Sequence, residues 1–377
     1  MDRTPIPHAF LNSLYSFLSS IASWSEFFRK YNNRVDYYHF ILVVNRYYWC
    51  YLYQEAWFSI LATFNSNYFS HELDAWLHKG NTMAKAINNE AICHLCRCNH
   101  SLFQFNIENY GFYRCADCGL VYLWPQPDAL ESTYTLDYYR ERSIFEASPL
   151  NKYLYNKYLN ILETLSPKTN RKLLDVGCGP GCFMEQAQLR DWKTDGVDIS
   201  KEAIQYARSN HKLNVYQGDI FQFVCPDYDV ITFWDVLEHL TKPLEHLLHA
   251  YKLLKPEGVL AVSTSNIAGL STRIAGSSSC IFNPKEHLYF FSFNTLRQLL
   301  AKARFHVIIS FSQTIYMRNI ASLLNKVVKR GQINNPSYKL FYNIFQNKGW
   351  LRIMRIANRI LNVPFLGDQL IVYAKKQ

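Results

Sequence analysis

The feature that most constrains the fold of this chain is a glycine-rich turn, LLDVGCGPG, which joins an apolar run to a helical pattern. Gly177, Gly179 and Gly181 allow the backbone to turn sharply and to approach a ligand where a Cβ would collide. Strand and helix patterns alternate from this turn to about residue 265. Such an alternation predicts an α/β fold with a doubly wound, Rossmann-like parallel sheet.

The α/β region contains predicted strands that read KLLDV, TDGVDI, NVYQG, YDVITFW, GVLAVSTS, FHVIISFSQ and DQLIVYAKK. Helices are predicted from Pro180, from Ser200 and over residues 243–254. The 377 residues divide into successive parts, each with its own composition. These parts are a helical aromatic-rich extension (1–90), a cysteine segment (91–124), a connector (125–165) and the α/β domain (166–377), which carries a basic helical insertion at about 315–365.

The cysteine segment contains two C-x2-C pairs, formed by Cys93, Cys96, Cys115 and Cys118. Eighteen residues separate the pairs, which is the spacing of a structural zinc site. Four thiolates close a tetrahedron and leave no open position, so the predicted zinc ribbon stabilises structure and does not catalyse. Cys98 and His100 lie close enough to compete as ligands, and a redox C-x2-C pair is the rival interpretation.

The glycines of the turn are spaced G-x-G-x-G, whereas the dinucleotide fingerprint is G-x-G-x-x-G. This difference favours S-adenosylmethionine, which has no pyrophosphate to place at a helix N-terminus, over a nicotinamide cofactor. Asp175 precedes the glycines and suits the cationic amino end of S-adenosylmethionine. Asp198 follows Gly177 by twenty-one residues, at the end of the second strand, where a carboxylate can accept both ribose hydroxyls.

The third and fourth predicted strands end in further cofactor candidates. Asp219 is placed to accept a hydrogen bond from the adenine amino group, with Ile199 and Ile220 as apolar walls for the ring. FWDVLEHL, at the end of the fourth strand, places Asp235 beside the sulfonium and the transferable methyl. The predicted cofactor contacts are Asp175, Gly177, Cys178, Gly179, Gly181, Asp198, Ile199, Asp219, Ile220 and Asp235.

Residues 171–312, with the last strand, resemble the class I S-adenosylmethionine-dependent methyltransferases. The likeness rests on the glycine loop, the ribose acid, the Gly-Asp step and the D-x-x-E-H of the fourth strand. The resemblance implies the strand order 3-2-1-4-5-7-6, with an antiparallel last strand. Residues 91–312, with CGLVYLWPQP and DYY, resemble a bacterial subgroup that is often linked to sugar, surface-polysaccharide or secondary-metabolite pathways.

His239 and His287 are the candidate catalytic residues, because histidine suits removal of a hydroxyl proton near neutral pH. His239 follows Glu238 at the predicted start of the helix after the fourth strand, and His287 lies in NPKEHLYFF after the fifth. A structural role is the alternative for each histidine. Asp235, Glu238 and His239 also match positions at which a ubiquinone-pathway O-methyltransferase group can bind magnesium.

The net charge of +10 is concentrated near the C-terminus. Between His287 and Gly367 there are twelve Lys or Arg residues and no Asp or Glu, which favours an anionic partner. Over residues 348–361 of the insertion, basic side chains fall on one helical face and apolar side chains on the other. Such a helix can cover the active site as a lid, contact an anionic membrane or bind RNA.

The first ninety residues contain an amphipathic helix pattern over 10–28 and an aromatic stretch over 37–64. Arg46 and Glu55 lie inside the aromatic stretch, and an internal arginine is costly in a membrane span. We therefore expect packing on the catalytic domain or at a subunit interface, with peripheral membrane contact as the alternative. The ten cysteines show no disulfide pattern and no signal peptide is recognisable, which favours the cytoplasm.

Together these features predict an S-adenosylmethionine-dependent methyltransferase that acts on an oxygen of a small or lipid-linked acceptor, such as a carbohydrate. The expected location is the cytoplasm, with contact to the membrane surface as a variant. The alternatives are an RNA methyltransferase and an inactive methyltransferase fold that serves as a binding subunit. Salt-dependent RNA binding would favour the RNA methyltransferase, and failure to bind the cofactor would favour the binding subunit.

Overall fold

The computed structural model describes residues 87–88 (backbone only), 91–127, 146–166, 170–225, 227–314 and 366–376. All of these residues fall within one compact unit, Gly80–Gln377. The predicted aromatic extension up to residue 86, the connector over 128–145 and the basic insertion over 315–365 lie outside the described residues. Among the residues described, no helix combines the length and the apolar character that a membrane span needs.

The larger sheet is formed by β5 (Lys172–Val176), β6 (Lys193–Asp198), β7 (Val215–Gln217), β8 (Tyr228–Trp234), β9 (Leu254–Ser265), β11 (Phe305–Gln313) and β12 (Gln369–Lys376). Its strand order is β11-β12-β9-β8-β5-β6-β7. The strands from β5 to β9 pair in parallel, whereas β12 is antiparallel to both β9 and β11. This is the order that the resemblance implied, and the predicted Rossmann-like fold class is confirmed.

The central strands of this sheet are buried along nearly their whole length. Leu173, Leu174, Val230 and Ile231 have no exposed surface. A parallel strand that is covered on both faces reads as a continuous apolar run and not as an alternation. This explains why KLLDV and YDVITFW stand out in the sequence.

The helices that the structure describes are α1 (Pro149–Leu165), α2 (Cys182–Gln188), α3 (Lys201–His211), α4 (Pro243–Leu253), α5 (Leu270–Ala275) and α6 (Phe293–Lys302). Serine caps begin three of them, because Ser148, Ser200 and Ser292 each accept a hydrogen bond from the backbone N–H three residues further on. Helix α1 lies in the range predicted as a connector. Its apolar face packs on the large sheet, so it is part of the α/β domain.

The smaller sheet is antiparallel and contains, in spatial order, β1 (Ile87–Asn88), β2 (Ser101–Ile107), β3 (Tyr110–Cys115), β4 (Val121–Trp124) and β10 (Tyr289–Phe290). Strand β10 comes from the α/β domain and pairs with the last ribbon strand. Beside it, the Leu123 amide donates to the Leu288 carbonyl at 2.9 Å. The predicted ribbon is therefore continuous with the α/β domain through backbone pairing.

One hydrophobic core runs through the ribbon and the α/β domain. The ring centroid of Phe112 in β3 lies 5.4 Å from that of Phe282 and 5.2 Å from that of Phe290. Aromatic pairs at this distance add to the burial energy of the rings themselves. Removing the ribbon would expose this aromatic surface of the α/β domain.

The position predicted for His239 was wrong. It does not begin a helix but lies in a turn, in which its amide donates to the Val236 carbonyl at 2.9 Å. Helix α4 begins only at Pro243, a residue suited to the first turn of a helix because its missing N–H costs nothing there. The chain leaves β8 through Asp235, whose φ of +54° ends the strand.

Candidate active site at the carboxyl edge of the large sheet

The glycine loop leaves the carboxyl end of β5 with its glycines in the left-handed conformation. The φ angles of Gly177, Gly179 and Gly181 are +68°, +52° and +84°. A Cβ at Gly177 would lie 2.5 Å from Val236 Cγ2, and one at Gly181 would lie 2.2 Å from Leu213 Cδ1. Glycine is needed at these two positions because of backbone conformation and of packing within the protein itself, in addition to any ligand.

The Cys178 side chain does not face the mouth of the loop. It is 6% exposed and packs in a small core cluster with Met184 and Ile204. A Cβ placed on Gly196 would lie 3.0 Å from the Cys178 sulfur, so the thiol points into the domain. The predicted cofactor contact of Cys178 stays a prediction, and it would involve the backbone.

Asp198 ends β6, and its carboxylate is bonded to the glycine loop. Its Oδ2 accepts from the Gly179 amide at 2.9 Å, and its Oδ1 accepts from the Ser200 amide at 2.9 Å. The side chain is 8% exposed. Asp198 therefore holds the loop against the end of the second parallel strand, which is the position predicted for the ribose contact.

Asp175 is buried within the same group of acids. It accepts a hydrogen bond from Thr232 Oγ1 at 2.6 Å. Burial raises the pKa of Asp175 to about 8, the neighbouring carboxylates of Glu146 and Asp198 raise it further, and only the bond from Thr232 opposes them. A buried acid whose ionisation is disfavoured in this way suits a positively charged ligand, which would favour its charged form. S-adenosylmethionine, with its ammonium and sulfonium groups, meets this requirement.

The predicted adenine end of the site lies after β7. The Asp219 carboxylate accepts from the Ile220 amide at 2.5 Å and from His246 Nε2 at 2.9 Å. Ile199 is 48% exposed and can line a pocket, whereas the Ile220 side chain has no exposed surface and lies in the core. The predicted contact between Ile220 and the adenine ring stays a prediction, and it would involve the backbone of Ile220.

Asp235 is bonded to two other strands of the large sheet. Its Oδ1 accepts from Ser263 Oγ at 2.8 Å, and both of its carboxylate oxygens lie 2.9 Å from Gln369 Nε2. Asp235 thus ties the end of β8 to β9 and β12 with a left-handed backbone, a conformation that costs energy outside glycine and often marks functional sites. Its predicted contact with the cofactor stays a prediction.

A set of amides and aromatic rings beside Asp235 escaped the sequence analysis. Trp234 stacks on Tyr158 with centroids 4.7 Å apart, and the ring of Phe183 lies 5.2 Å from Trp234. Gln313, which is fully buried, donates to the Tyr158 hydroxyl and to Gln369 Oε1. Helix α1 therefore contributes to the edge of the sheet at which β8 ends, although its sequence reads only as an amphipathic helix.

His239, in the segment after β8, and His287, in the segment after β9, lie together. Their ring centroids are 4.8 Å apart. His239 Nδ1 lies 2.6 Å from the Glu286 carbonyl oxygen, and His287 Nδ1 lies 2.7 Å from the Ile281 carbonyl oxygen. Because a carbonyl only accepts, each Nδ1 donates a hydrogen bond, and Nε2 is the ring nitrogen that could act as a base.

Glu238 completes a cluster with the two histidines, in which one ligand atom of each lies within 4.8 Å of the others. One carboxylate oxygen, Oε1, accepts from the Ser265 amide at 3.3 Å, while Oε2 has no hydrogen-bond partner among the described residues. Burial, and then the charge of Asp235, raise the pKa of Glu238 to about 8. Two anchored imidazoles and one buried carboxyl are a set that can hold a divalent cation. Asp235, which the sequence analysis grouped with Glu238 and His239, is not a member of this cluster, and its role at a metal stays a prediction.

The four predicted zinc ligands converge. The sulfur of Cys93 lies 3.5 Å from that of Cys118, and the sulfur of Cys96 lies 3.3 Å from that of Cys115. All four sulfurs lie within 4.8 Å of one another. Zinc–sulfur bonds of about 2.3 Å in a tetrahedron place the sulfurs about 3.8 Å apart, so this set fits the ion. The hydrogen bond between Cys93 and Cys118 lowers the pKa of Cys93 and raises the pKa of Cys118, because the two thiols share one proton.

The ribbon is linked to the histidines through the segment that carries β10. The Glu238 carbonyl accepts from the Leu288 amide at 2.8 Å and from the Tyr289 amide at 3.3 Å. The Tyr289 hydroxyl donates to the Thr241 carbonyl at 3.1 Å, and its ring lies 5.7 Å from that of His94 in the first C-x2-C pair. The turn that carries His239 is therefore held by a segment that pairs with the ribbon.

A family model described as a methyltransferase domain matches residues 150–309. This range begins within α1 and ends within β11, so it covers the glycine loop, the acids and both histidines. Residues 150–309 therefore match a methyltransferase domain, and the large sheet has the Rossmann-like methyltransferase fold.

Among curated proteins, the chain is similar to the ubiquinone biosynthesis O-methyltransferase of Actinobacillus pleuropneumoniae, with 33% identity over 28% of this chain and 52% of the relative. It is also 28% identical to the mitochondrial ubiquinone biosynthesis O-methyltransferase of Saccharomyces cerevisiae, over 38% of this chain and 50% of the relative. The chain spans about half the length of the curated relatives it matches.

Among solved structures, the chain is similar to a SAM-dependent methyltransferase of Archaeoglobus fulgidus, with a TM-score of 0.42 and 22% identity over 63% of this chain and 99% of the other. A further similarity is to phosphoethanolamine N-methyltransferase 2 of Haemonchus contortus in complex with S-adenosyl-L-methionine, with a TM-score of 0.41 and 17% identity over 68% of this chain and 62% of the other.

Proposed function

We propose that this protein transfers a methyl group from S-adenosylmethionine to an oxygen of a small or lipid-linked acceptor. The observation that carries the proposal is the bond between Asp198 and the Gly179 amide, which joins the acid of the second strand to a left-handed glycine loop. The buried Asp175 beside it supports a cationic ligand. The names of the curated relatives support oxygen as the acceptor atom and a small molecule as the acceptor.

When bound, S-adenosylmethionine supplies an electrophilic methyl on a positively charged sulfur. On this proposal, Asp198 accepts from the ribose hydroxyls while it holds the glycine loop. Asp175 faces the ammonium group, and the left-handed loop lets the backbone come close to the cofactor. Asp219 and Ile199 bind the adenine, and Asp235 holds the end of β8 in place beside the reacting groups. These residues act mainly by position and orientation, which suits an in-line displacement.

His239 and His287 are proposed to remove the proton from the acceptor hydroxyl. Each ring is fixed by a backbone carbonyl through Nδ1, so its Nε2 is the basic atom. A divalent cation held by Glu238 and both histidines is the competing arrangement, in which the metal, and not an imidazole, lowers the pKa of the hydroxyl. Loss of activity on dialysis against a chelator that leaves the ribbon zinc in place would favour the cation.

Zinc is proposed as a structural cofactor of Cys93, Cys96, Cys115 and Cys118. The distances between the sulfurs fit the ion, and no fifth group is needed. In this proposal the ribbon shapes the acceptor side of the site, because its sheet includes the strand that follows His287.

The direct test is transfer of a labelled methyl group from S-adenosylmethionine to a panel of hydroxyl compounds. The panel contains prenylated catechols and phenols, sugars, glycolipids and total RNA. Label in an oxygen-methylated small molecule or lipid supports the proposal, and label in RNA alone supports the alternative of an RNA methyltransferase. Failure of folded, zinc-loaded protein to bind S-adenosylhomocysteine would favour a binding subunit instead.

The proposed location is the cytoplasm or the cytoplasmic surface of a membrane. The basic insertion that motivates membrane contact lies outside the described residues, so only its sequence supports this part. Sedimentation with anionic vesicles, compared with neutral ones, tests it. We expect substitution of Arg352, Arg355 and Arg359 by Gln to abolish the sedimentation without affecting binding of S-adenosylhomocysteine.

A further inference from the structure

His246 is a buried histidine that the proposed chemistry does not use. It lies in the first turns of α4 and is 5% exposed. Its Nδ1 lies 2.8 Å from the Lys242 carbonyl oxygen, and its Nε2 lies 2.9 Å from Asp219 Oδ2. The residue joins the helix after β8 to the end of β7, across twenty-seven positions of the sequence.

Both ring nitrogens of His246 face atoms that only accept. A carbonyl oxygen and a carboxylate oxygen accept hydrogen bonds, so the imidazole serves as the hydrogen-bond donor to Asp219. Although burial alone would raise the pKa of Asp219, the hydrogen bond and charge of His246, the backbone bond from Ile220 and, last, the charge of His249 together lower it. The pair is a charge-assisted hydrogen bond with one partner fully inside the protein.

The Asp219 side chain is 42% exposed, while that of His246 is 6% exposed. The carboxylate is thus bonded to His246 through Oδ2 and to the Ile220 amide through Oδ1, and part of its surface is exposed. Held in this way, it offers acceptors and no donor. Such an edge can bind an exocyclic amino group, and it repels a carbonyl oxygen at the same place.

We infer that His246 is the positioning residue that makes the cofactor site select adenine over hypoxanthine, by bonding to the Asp219 carboxylate and fixing its orientation. This inference rests on the proposed function, because it assumes that Asp219 meets the adenine amino group. The neighbouring His249 provides a contrast. It lies one turn further along α4, and its Nε2 lies 2.8 Å from the Phe223 carbonyl oxygen and makes no hydrogen bond to Asp219.

The test is calorimetric titration with S-adenosylhomocysteine and with its analogue in which hypoxanthine replaces adenine. We expect the unchanged protein to prefer the adenine compound by about tenfold or more, since a site built to accept from an amino group leaves the hypoxanthine oxygen facing an acceptor. In His246→Leu the preference should fall to within about twofold, because affinity for the adenine compound drops and affinity for the analogue does not. His246→Gln, which keeps a neutral donor, should be intermediate.

His249→Gln is the matched control and should keep the preference of the unchanged protein. If melting curves show that His246→Leu does not fold, the preference for the adenine compound measured with His246→Gln tests the inference. The inference is overturned if the variants at position 246 keep the full preference, or if they lose affinity for both compounds by the same factor. Equal affinity of the unchanged protein for both compounds would also overturn the inference, but it would not contradict the proposed methyl transfer. Binding of neither compound defeats the proposed function itself.

Discussion

The cofactor half of the site and the histidine half are held together over very different distances in the chain. In the cofactor half, Asp198 bonds to Gly179, and both residues lie in the first crossover of the large sheet. In the histidine half, His239 bonds to the Glu286 carbonyl, forty-seven positions away, on a segment that pairs with the ribbon. The contrast indicates that the bond between Asp198 and the glycine loop follows from local sequence, whereas the histidine half depends on how three parts of the chain pack.

The largest effect should come from removal of the zinc ligands. We expect the double variant Cys115→Ser and Cys118→Ser to lose bound zinc and to fall in free energy of unfolding by about 4 kcal/mol or more, the range typical of a lost metal. Methyl transfer should suffer more than binding of S-adenosylhomocysteine, because the ribbon supports the histidine half. Metal analysis, denaturant unfolding and calorimetry measure the three quantities.

Cys98→Ser is the control for the zinc variant, because Cys98 lies beside the cluster but outside the set of four. It should keep both zinc and stability. Equal loss of cofactor binding and of methyl transfer in the double variant would remove the distinction between the two halves.

The next effect concerns the histidines. His239→Asn and His287→Asn should each lower the rate of methyl transfer by about 10²–10⁴-fold, the usual contribution of a positioned general base. The affinity for S-adenosylhomocysteine should stay within about twofold, because both rings are anchored to carbonyls of the segment between β9 and β10. His306→Asn, an exposed histidine on β11, serves as the control. Rates that match those of the control would assign both rings a structural role.

The smallest effect is a pH dependence of cofactor affinity. The pKa of Asp175 is raised to about 8, so this acid is protonated in the free protein at neutral pH. A cationic cofactor favours its ionised form, and binding below pH 8 therefore releases a proton. Affinity for S-adenosylmethionine should rise by up to about tenfold per unit between about pH 6 and about pH 7.5.

In Asp175→Asn this rise in affinity with pH should be absent, whatever the absolute affinity of the variant. Titrations in buffers of different ionisation enthalpy would show the proton release directly. A flat profile in the unchanged protein would place Asp175 away from the cation.

The same contrast explains how much could be predicted from the sequence. The parallel strands were predictable because apolar runs such as KLLDV are set by burial on both faces, and Asp198 was predictable because the crossover length fixes its distance from the glycines. The pairing of β10 with the ribbon was not predictable, since two residues, Tyr289 and Phe290, give no strand pattern of their own.

His246 and Glu238 show the limit most clearly. His246 looks like an ordinary polar residue on an amphipathic helix, and Glu238 stands out only as part of D-x-x-E-H. The role proposed for each depends on a partner far away in the chain. Asp219 lies twenty-seven positions from His246 in the sequence. His287 was predicted as a catalytic candidate, but its position next to Glu238 was not predicted. Only tertiary packing brings such groups together, and periodicity carries no signal for it.

The most direct test of this account is calorimetric titration of S-adenosylhomocysteine into the unchanged protein, Asp198→Ala and His287→Asn, measured side by side. The account predicts binding by the unchanged protein, a loss of about tenfold or more in affinity for Asp198→Ala, and a change within about twofold for His287→Asn. Absence of binding by the unchanged, folded protein would contradict the proposed cofactor site. An equal loss in both variants would contradict the division of the site into two halves.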